Sequence, residues 1–272
     1  MTHSRWCALA ALSVSAAGAQ VTPVAHYPFD DPAALGRDAS GMGLEARVNG
    51  HSGEGKIGRG LILDGTGGVE IPSLPELQAG HALSFELWLR FDDLAHSYGV
   101  VAKEDEYLLR LDPPGEGSTL SLFVRADDTW EPRVRSIVPR PNTWYHVVAS
   151  WDQAILRLII DGQEYSAARS GTVATTGNPV LVGGASTFGP SPLRGAIDEV
   201  RFYRGVVRGA DVAAALYGIE ERLGTPAVER TRFRFTDGLA GWTTTLGGTA
   251  TAEAGALHLT TAGPHSTLLS PP

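Results

Sequence analysis

The residues best suited to meet a ligand cluster between positions 127 and 135. Trp130 lies in Asp127-Asp128-Thr129-Trp130-Glu131-Pro132, a polar loop pattern, and Arg133 and Arg135 alternate just beyond it. An exposed indole stacks on a sugar ring while neighbouring polar groups fix its hydroxyls; an amphipathic indole is equally suited to fold back over a sheet edge. The two arginines would add recognition of an acidic sugar, or else occupy a solvated strand face. Tyr98 and Phe188, in Gly/Ser-containing loops, read as the rim of such a site. Glu104-Asp105-Glu106 reads as a solvated strand end. Asp198-Glu199 interrupts an apolar run. Strict alternation puts Asp198 with Val200 on one face and Ile197, Glu199 and Arg201 on the other, with Asp198 paired or capping. His146 reads as a strand residue with a hydrogen-bonded ring. Nucleophilic and zinc chemistry lack a motif: there is no Gly-x-Ser-x-Gly elbow, no His-x-His and no His-Glu-x-x-His.

The elements that would position these residues are strands. Leu83 to Phe91 alternates, with Ser84, Glu86, Trp88 and Arg90 on the polar face. Tyr107–Leu111, Thr119–Arg125 and Trp144–Trp151 are similar runs, separated by turn chemistry such as Asp112-Pro113-Pro114-Gly115. Leu156–Ile160, Asp161-Gly162 and Gln163–Ala167 read as a hairpin with a two-residue turn. Trp88, Trp144 and Trp151 fall within strands and read as core or covered by a helix. The 33 glycines and 17 prolines among 272 residues fit many turns between short strands, so the pattern implies a sandwich or barrel. One alanine-rich helix is expected over 209–217, followed by a linker at 219–226. After it, Phe233–Phe235, Gly241-Trp242 and Ala256–Leu259 suggest short strands of a partial second unit over 227–272. That unit is the beginning of a longer protein's next domain, or else a segment packed on the first.

Residues 1–19 read as a signal peptide, with an apolar run from Trp6 to Ala17 and a small-x-small site at Ala17-Gly18-Ala19. Export to the cell surface or medium is the expected localisation. Cleavage would remove Cys7, the single cysteine, leaving core burial and metal as the means of stabilisation. No stretch is long enough to span a bilayer, and a net charge of -8 argues against phosphate-backbone binding, so neither a membrane span nor a nucleic-acid partner is expected.

An ordered series of segments resembles the laminin-G-like, concanavalin A-like lectin/glucanase jelly rolls. It comprises Tyr27-Pro28-Phe29-Asp30-Asp31 with Asp38-Ala39-Ser40-Gly41, then Gly60–Gly65 with Val69–Pro72, then Leu83–Arg90. Asn142–Ala149, Leu158–Gly162 and Gly195–Tyr203 complete it, over roughly residues 24 to 218. The resemblance implies an all-β, two-sheet antiparallel jelly-roll sandwich over 20–218 with one short C-terminal helix. It implies a secreted binding module for a glycan or a cell-surface protein. It also implies a structural calcium ion on Asp30 and Asp198, with Asp31 and Asp38 as nearby alternatives unless those two serve turns. Two departures bear on that ion: Met42 stands where the family often has Asn, and Gly67-Gly68 replace acidic residues. The Glu-x-Asp-x-x-Glu strand of related glucanases is absent. The expected function is therefore non-catalytic carbohydrate binding or adhesion through Trp130, Tyr98, Arg133 and Arg135. A protein-interaction or spacer module is the alternative, and a polysaccharide-processing enzyme the second.

Overall fold

The computed structural model describes residues 22–80 and 82–207, and beyond them the backbone of four short strands. The expected signal peptide, helix and linker lie outside the described residues. In chain order the strands are β1 Pro23–Tyr27, β2 Arg47–Asn49, β3 His51–Glu54, β4 Arg59–Asp64 and β5 Gly68–Ile71. Next come β6 Leu83–Phe91, β7 Gly99–Lys103, β8 Tyr107–Leu111, β9 Leu120–Val124 and β10 Val134–Arg135. The series closes with β11 Trp144–Trp151, β12 Ile155–Ile160, β13 Gln163–Ala168, β14 Val180–Val182 and β15 Arg194–Tyr203.

These strands build two antiparallel sheets. One has eight strands in the order β13-β12-β11-β6-β15-β4-β3, with β1 also pairing β15; the other has seven, in the order β10-β9-β8-β7-β14-β5-β2. Alternation explains the layering. Phe85, Leu87 and Leu89 of β6 and Val147, Ala149 and Trp151 of β11 point inward from the first sheet. Tyr107, Leu109 and Leu111 of β8 meet them from the second, so the two apolar faces close one core. The β12–β13 hairpin turns at Asp161 and Gly162, both at positive φ, as a two-residue turn between right-twisted strands requires. A second compact unit, Gly224–Pro272, contains β16 Thr243–Thr244, β17 Thr249–Glu253, β18 Ala256–Thr260 and β19 Leu268–Leu269. Within it β16 pairs β19, and β17 pairs β18. Among the described residues no helix is long and apolar enough to cross a membrane.

Three local readings are corrected. Alternation fails in β15, where a register shift falls between Asp198 and Arg201 and Glu199 takes φ 52°. The inserted residue returns Ile197 and Val200 to the same core face and turns Asp198 away from Val200. Glu106 is not solvated: it is 0% exposed, within 3.2 Å of an equally buried Lys103. Trp151 is core as read, whereas Trp88 and Trp144 are not: they lie half-buried on the outer face of the eight-stranded sheet, beneath the cations of Lys56 and Arg90, and the helix expected to cover such residues lies outside the described residues.

Candidate functional site

The outer face of the seven-stranded sheet carries an apolar strip where a solvated face would be polar. Ala102 pairs Leu108, and Leu108 pairs Phe123, so three apolar side chains lie side by side on β7, β8 and β9. All three are buried, and Trp130 packs on them. The loop after β9 makes this possible. Asp127 and Asp128 take positive φ, and the Thr129 amide donates to the Ala126 carbonyl at 3.1 Å, turning the chain back over the sheet. Asn and Asp tolerate that conformation better than other side chains.

Arg169, at the end of β13, holds the loop in place. Its Nε donates to the Val124 carbonyl (3.1 Å) and its Nη2 to those of Ala126 (2.8 Å) and Thr129. Its own carbonyl accepts the Trp151 indole N–H at 2.7 Å, which ties the clamp to the core. Burial pushes the guanidinium pKa down, and the charges of Asp127 and Glu131 oppose that shift. Arg169→Ala strands these carbonyls and is expected to cost about 2–3 kcal/mol, with a more mobile indole at position 130. Urea unfolding checks the first, and quenching of the added indole fluorescence by acrylamide, compared against Trp130→Phe, checks the second. An unchanged quenching difference would remove the clamp from the site.

Phe188 closes the other side. The Ser186 amide donates to the Gly189 carbonyl (2.9 Å), the Thr187 amide to Glu104 Oε1 (2.6 Å), and Arg110 Nη1 to the Phe188 carbonyl (2.7 Å). At Gly189 a Cβ would come within 2.9 Å of the Gly99 Cα, so this loop can lie flat on β7 only with glycine there. Phe188 stays 45% exposed and meets Trp130 edge to face, with centroids 5.3 Å apart. The two rings border a groove of about 280 Å³. Its floor is Phe123, over which the guanidinium groups of Arg110 and Arg133 lie at 4.9 and 5.0 Å from the ring centroid. Glu116 and Glu131 stand at the mouth. Such a site can stack a flat apolar face on the aromatic edge and accept hydroxyl hydrogens on carboxylate oxygens.

The structure thus brings Trp130 and Arg133 together, and with them Phe188, Arg110, Glu116 and Glu131. Tyr98 is a correction. It is 1% exposed, stacked on Phe91, with its hydroxyl donating to Asp93, because its loop packs into the sandwich rather than over it. Arg135 is exposed on β10 opposite Ser121 and is not among the residues bordering the groove. Arg110 and Glu116 escaped the sequence reading, since the cross-strand register that seats them beside Phe123 has no local signal.

The acidic residues near β1 divide by role. Asp38 accepts from the His26, Ser40 and Leu44 amides (3.0, 2.8 and 2.9 Å) and from the Ser40 hydroxyl (2.8 Å). Burial raises its pKa, but these donors more than offset that and hold it below the usual carboxylate range. Asp31 caps the Ala33 amide and pairs Arg37. Asp198 is different. It is 0% exposed, and burial pushes its carboxyl up to about 8, with the charges of Glu199 and Asp30 adding to the rise against the Ile57 and Glu199 amides. Asp198 Oδ2 accepts the Ile57 amide (2.8 Å), and exposed Asp30 Oδ1 accepts that of Arg59 (2.9 Å). The loop between them is glycine-built. A Cβ at Gly55 would sit 2.7 Å from Asp198 Oδ2, and one at Gly58 2.5 Å from Asp30 Oδ1. The two carboxylates already accept these backbone amides, so a hard cation there would draw its remaining oxygens from backbone and water. Among the described residues no three His, Cys, Asp or Glu side chains group around one ion.

The fold has many solved counterparts. Domain 4 of AbnA, an extracellular arabinanase from Geobacillus stearothermophilus solved with arabinotriose, is 23% identical at TM-score 0.58, covering 72% of this chain and 98% of that one. The receptor-binding domain of botulinum neurotoxin C/D mosaic serotype is 14% identical at TM-score 0.57, covering 72% of this chain and 51% of that one. The binding domain of botulinum neurotoxin DC, solved in complex with SialylT, is 11% identical at TM-score 0.57, covering 73% and 52%. The chain therefore spans about half of these toxin domains. No curated protein matches. The family description that matches residues 63–213 takes in β5 through β15, among them the strands that carry the groove and Asp198, and by it this chain belongs to the concanavalin A-like lectin/glucanases superfamily.

Proposed function

We propose that this protein is an exported carbohydrate-binding module, and that the groove between Trp130 and Phe188 is its site. The observation that carries the reading is the pair of aromatic rings set edge to face over a groove on an outer sheet face, with exposed carboxylates at its mouth. Similar folds solved with arabinotriose and with SialylT support the ligand class. Affinity electrophoresis of the full chain through arabinan, xylan, mannan, galactan and pectin gels tests it. Retardation is expected on at least one gel. Removing a central aromatic anchor typically costs about 2 kcal/mol or more, so Trp130→Ala should weaken binding about 30-fold, while Arg135→Ala should not. No retardation on any gel would move the assignment to a protein-interaction or spacer module, and falling polymer size during the run to an enzyme.

A structural calcium ion belongs to the same proposal. The buried Asp198 acid facing Asp30 across a glycine loop supports it, since a divalent cation there would neutralise both carboxylates and tie β15 to the segments after β1 and β3. Export rests on the Trp6–Ala17 run and is tested by the mass of the mature N-terminus recovered outside the cell.

A further inference from the structure

Four charged side chains line the groove, with Asp112 buried behind them, and their pairing restricts which sugar fits. Resting on the reading of the groove as a glycan site, we infer that it accepts neutral glycans and rejects acidic ones. Both arginines are already committed. Arg110 donates from Nε to Asp112 (2.9 Å), from Nη2 to Glu116 (3.0 Å) and from Nη1 to the Phe188 carbonyl (2.7 Å). Arg133 donates from Nη1 to Glu116 (2.8 Å) and Asp112 (3.4 Å), and its Nε lies 3.5 Å from Glu131. Two guanidinium groups thus face three carboxylates, and the excess charge is negative.

The pairing is also hard to undo. Asp112 is 0% exposed and takes further hydrogen bonds from the Thr119 and Ser121 hydroxyls (2.9 and 2.6 Å). An arginine that swung out to meet a uronate or sialate would leave this buried carboxylate short of a counter-charge, which is strongly unfavourable. Phe123 lies under both guanidinium planes and fixes them further. The charges that remain accessible are those of Glu116 and Glu131, whose side chains are 41% and 64% exposed. They repel an anion and accept from neutral hydroxyls. Arg125, the other nearby cation on β9's exit, is itself paired with Asp105 and Asp128. Exposed Arg135 sits one strand further out, on β10.

The test compares neutral ligands with acidic counterparts: methyl-esterified against de-esterified galacturonan, which share one backbone, and, with an added acidic residue, xylan against glucuronoxylan and lactose against sialyllactose. Titration calorimetry would be run at 50 and 500 mM NaCl. The neutral member is expected to bind about tenfold or more tighter than its acidic partner, with little salt dependence. Glu131→Gln should narrow that gap by strengthening the acidic member. Acidic members that bind as well as neutral ones, or binding that weakens with salt, would overturn the neutral preference and leave the glycan reading standing. Silence from every ligand, neutral and acidic alike, would overturn both.

Discussion

Replacing Lys103 with methionine should lower the stability of the folded protein by about 3–5 kcal/mol, the usual penalty for stranding a buried charge. Lys103 and Glu106 are both 0% exposed, 3.2 Å apart across the turn from β7 to β8. Lys103 Nζ also donates to Ser73 Oγ and to the Thr176 carbonyl, both at 3.1 Å, and to the Asn178 carbonyl. Glu106 accepts from the Ala79 amide (2.9 Å), the Thr176 amide (2.8 Å) and the Thr176 hydroxyl (2.7 Å). The pair therefore pins the segment after β5 and the segment before β14 to one turn. In the single variant Glu106 keeps its hydrogen bonds but loses its counter-charge. Lys103→Met with Glu106→Gln removes both charges and keeps an amide acceptor, so it should recover a substantial part of the loss. Urea midpoints of the four proteins, taken as a double-mutant cycle, decide the matter. Strict additivity of the two substitutions would show that the charges are not coupled.

The second large effect is a pH slope at Asp198. Holding this acid at about 8 instead of 3.8 means that ionising it in the folded protein costs on the order of 5 kcal/mol. The folded state then binds a proton that the unfolded chain has released between about pH 4 and pH 8. In the presence of chelator, stability should fall as pH rises through that window and level off above it. Asn mimics the protonated acid, so Asp198→Asn should flatten this limb and be the more stable protein at pH 9 without metal. Calcium should raise the melting temperature of the parent and leave Asp198→Asn unmoved. Equal slopes for the two proteins in chelator would mean that the buried carboxyl is compensated by other groups.

Much of the sandwich was legible because the signal is local. β6 alternates along its whole length, and the Asp161-Gly162 turn is written in two adjacent residues. The groove was half legible. Trp130 announces itself as an aromatic in a polar loop, whereas Arg110 is one more polar position on an alternating strand. What makes Arg110 part of the site is Phe123, on the next strand, and the loop around Phe188, 78 residues away. Arg169 carries no signal of its own: nothing nearby in sequence shows that three carbonyls at and beyond the end of β9 converge on it. Tyr98 and Glu106 failed for a related reason. Loop composition suggests exposure, but a tyrosine that finds an aspartate, or a glutamate that finds a lysine, can be buried whole. The bulge at Glu199 has no composition signal, and it undid the alternation of Asp198.

The placement of β15 bears on how the chain can fold. The last strand of the sandwich lies in the middle of its sheet, between β6 and β4, and also receives β1. Partners such as His26 and Glu199 meet across 173 residues of chain. Until Tyr203 has been synthesised, β4 and β6 have no strand to join them, and β1 has no partner strand among the described residues. A nascent chain must therefore carry its apolar strands unclosed until almost the whole sandwich exists. Folding dominated by such distant pairings runs on the order of milliseconds to seconds, and it exposes strand edges meanwhile. Any truncation before β15 would leave two half-sheets and no bridge between them.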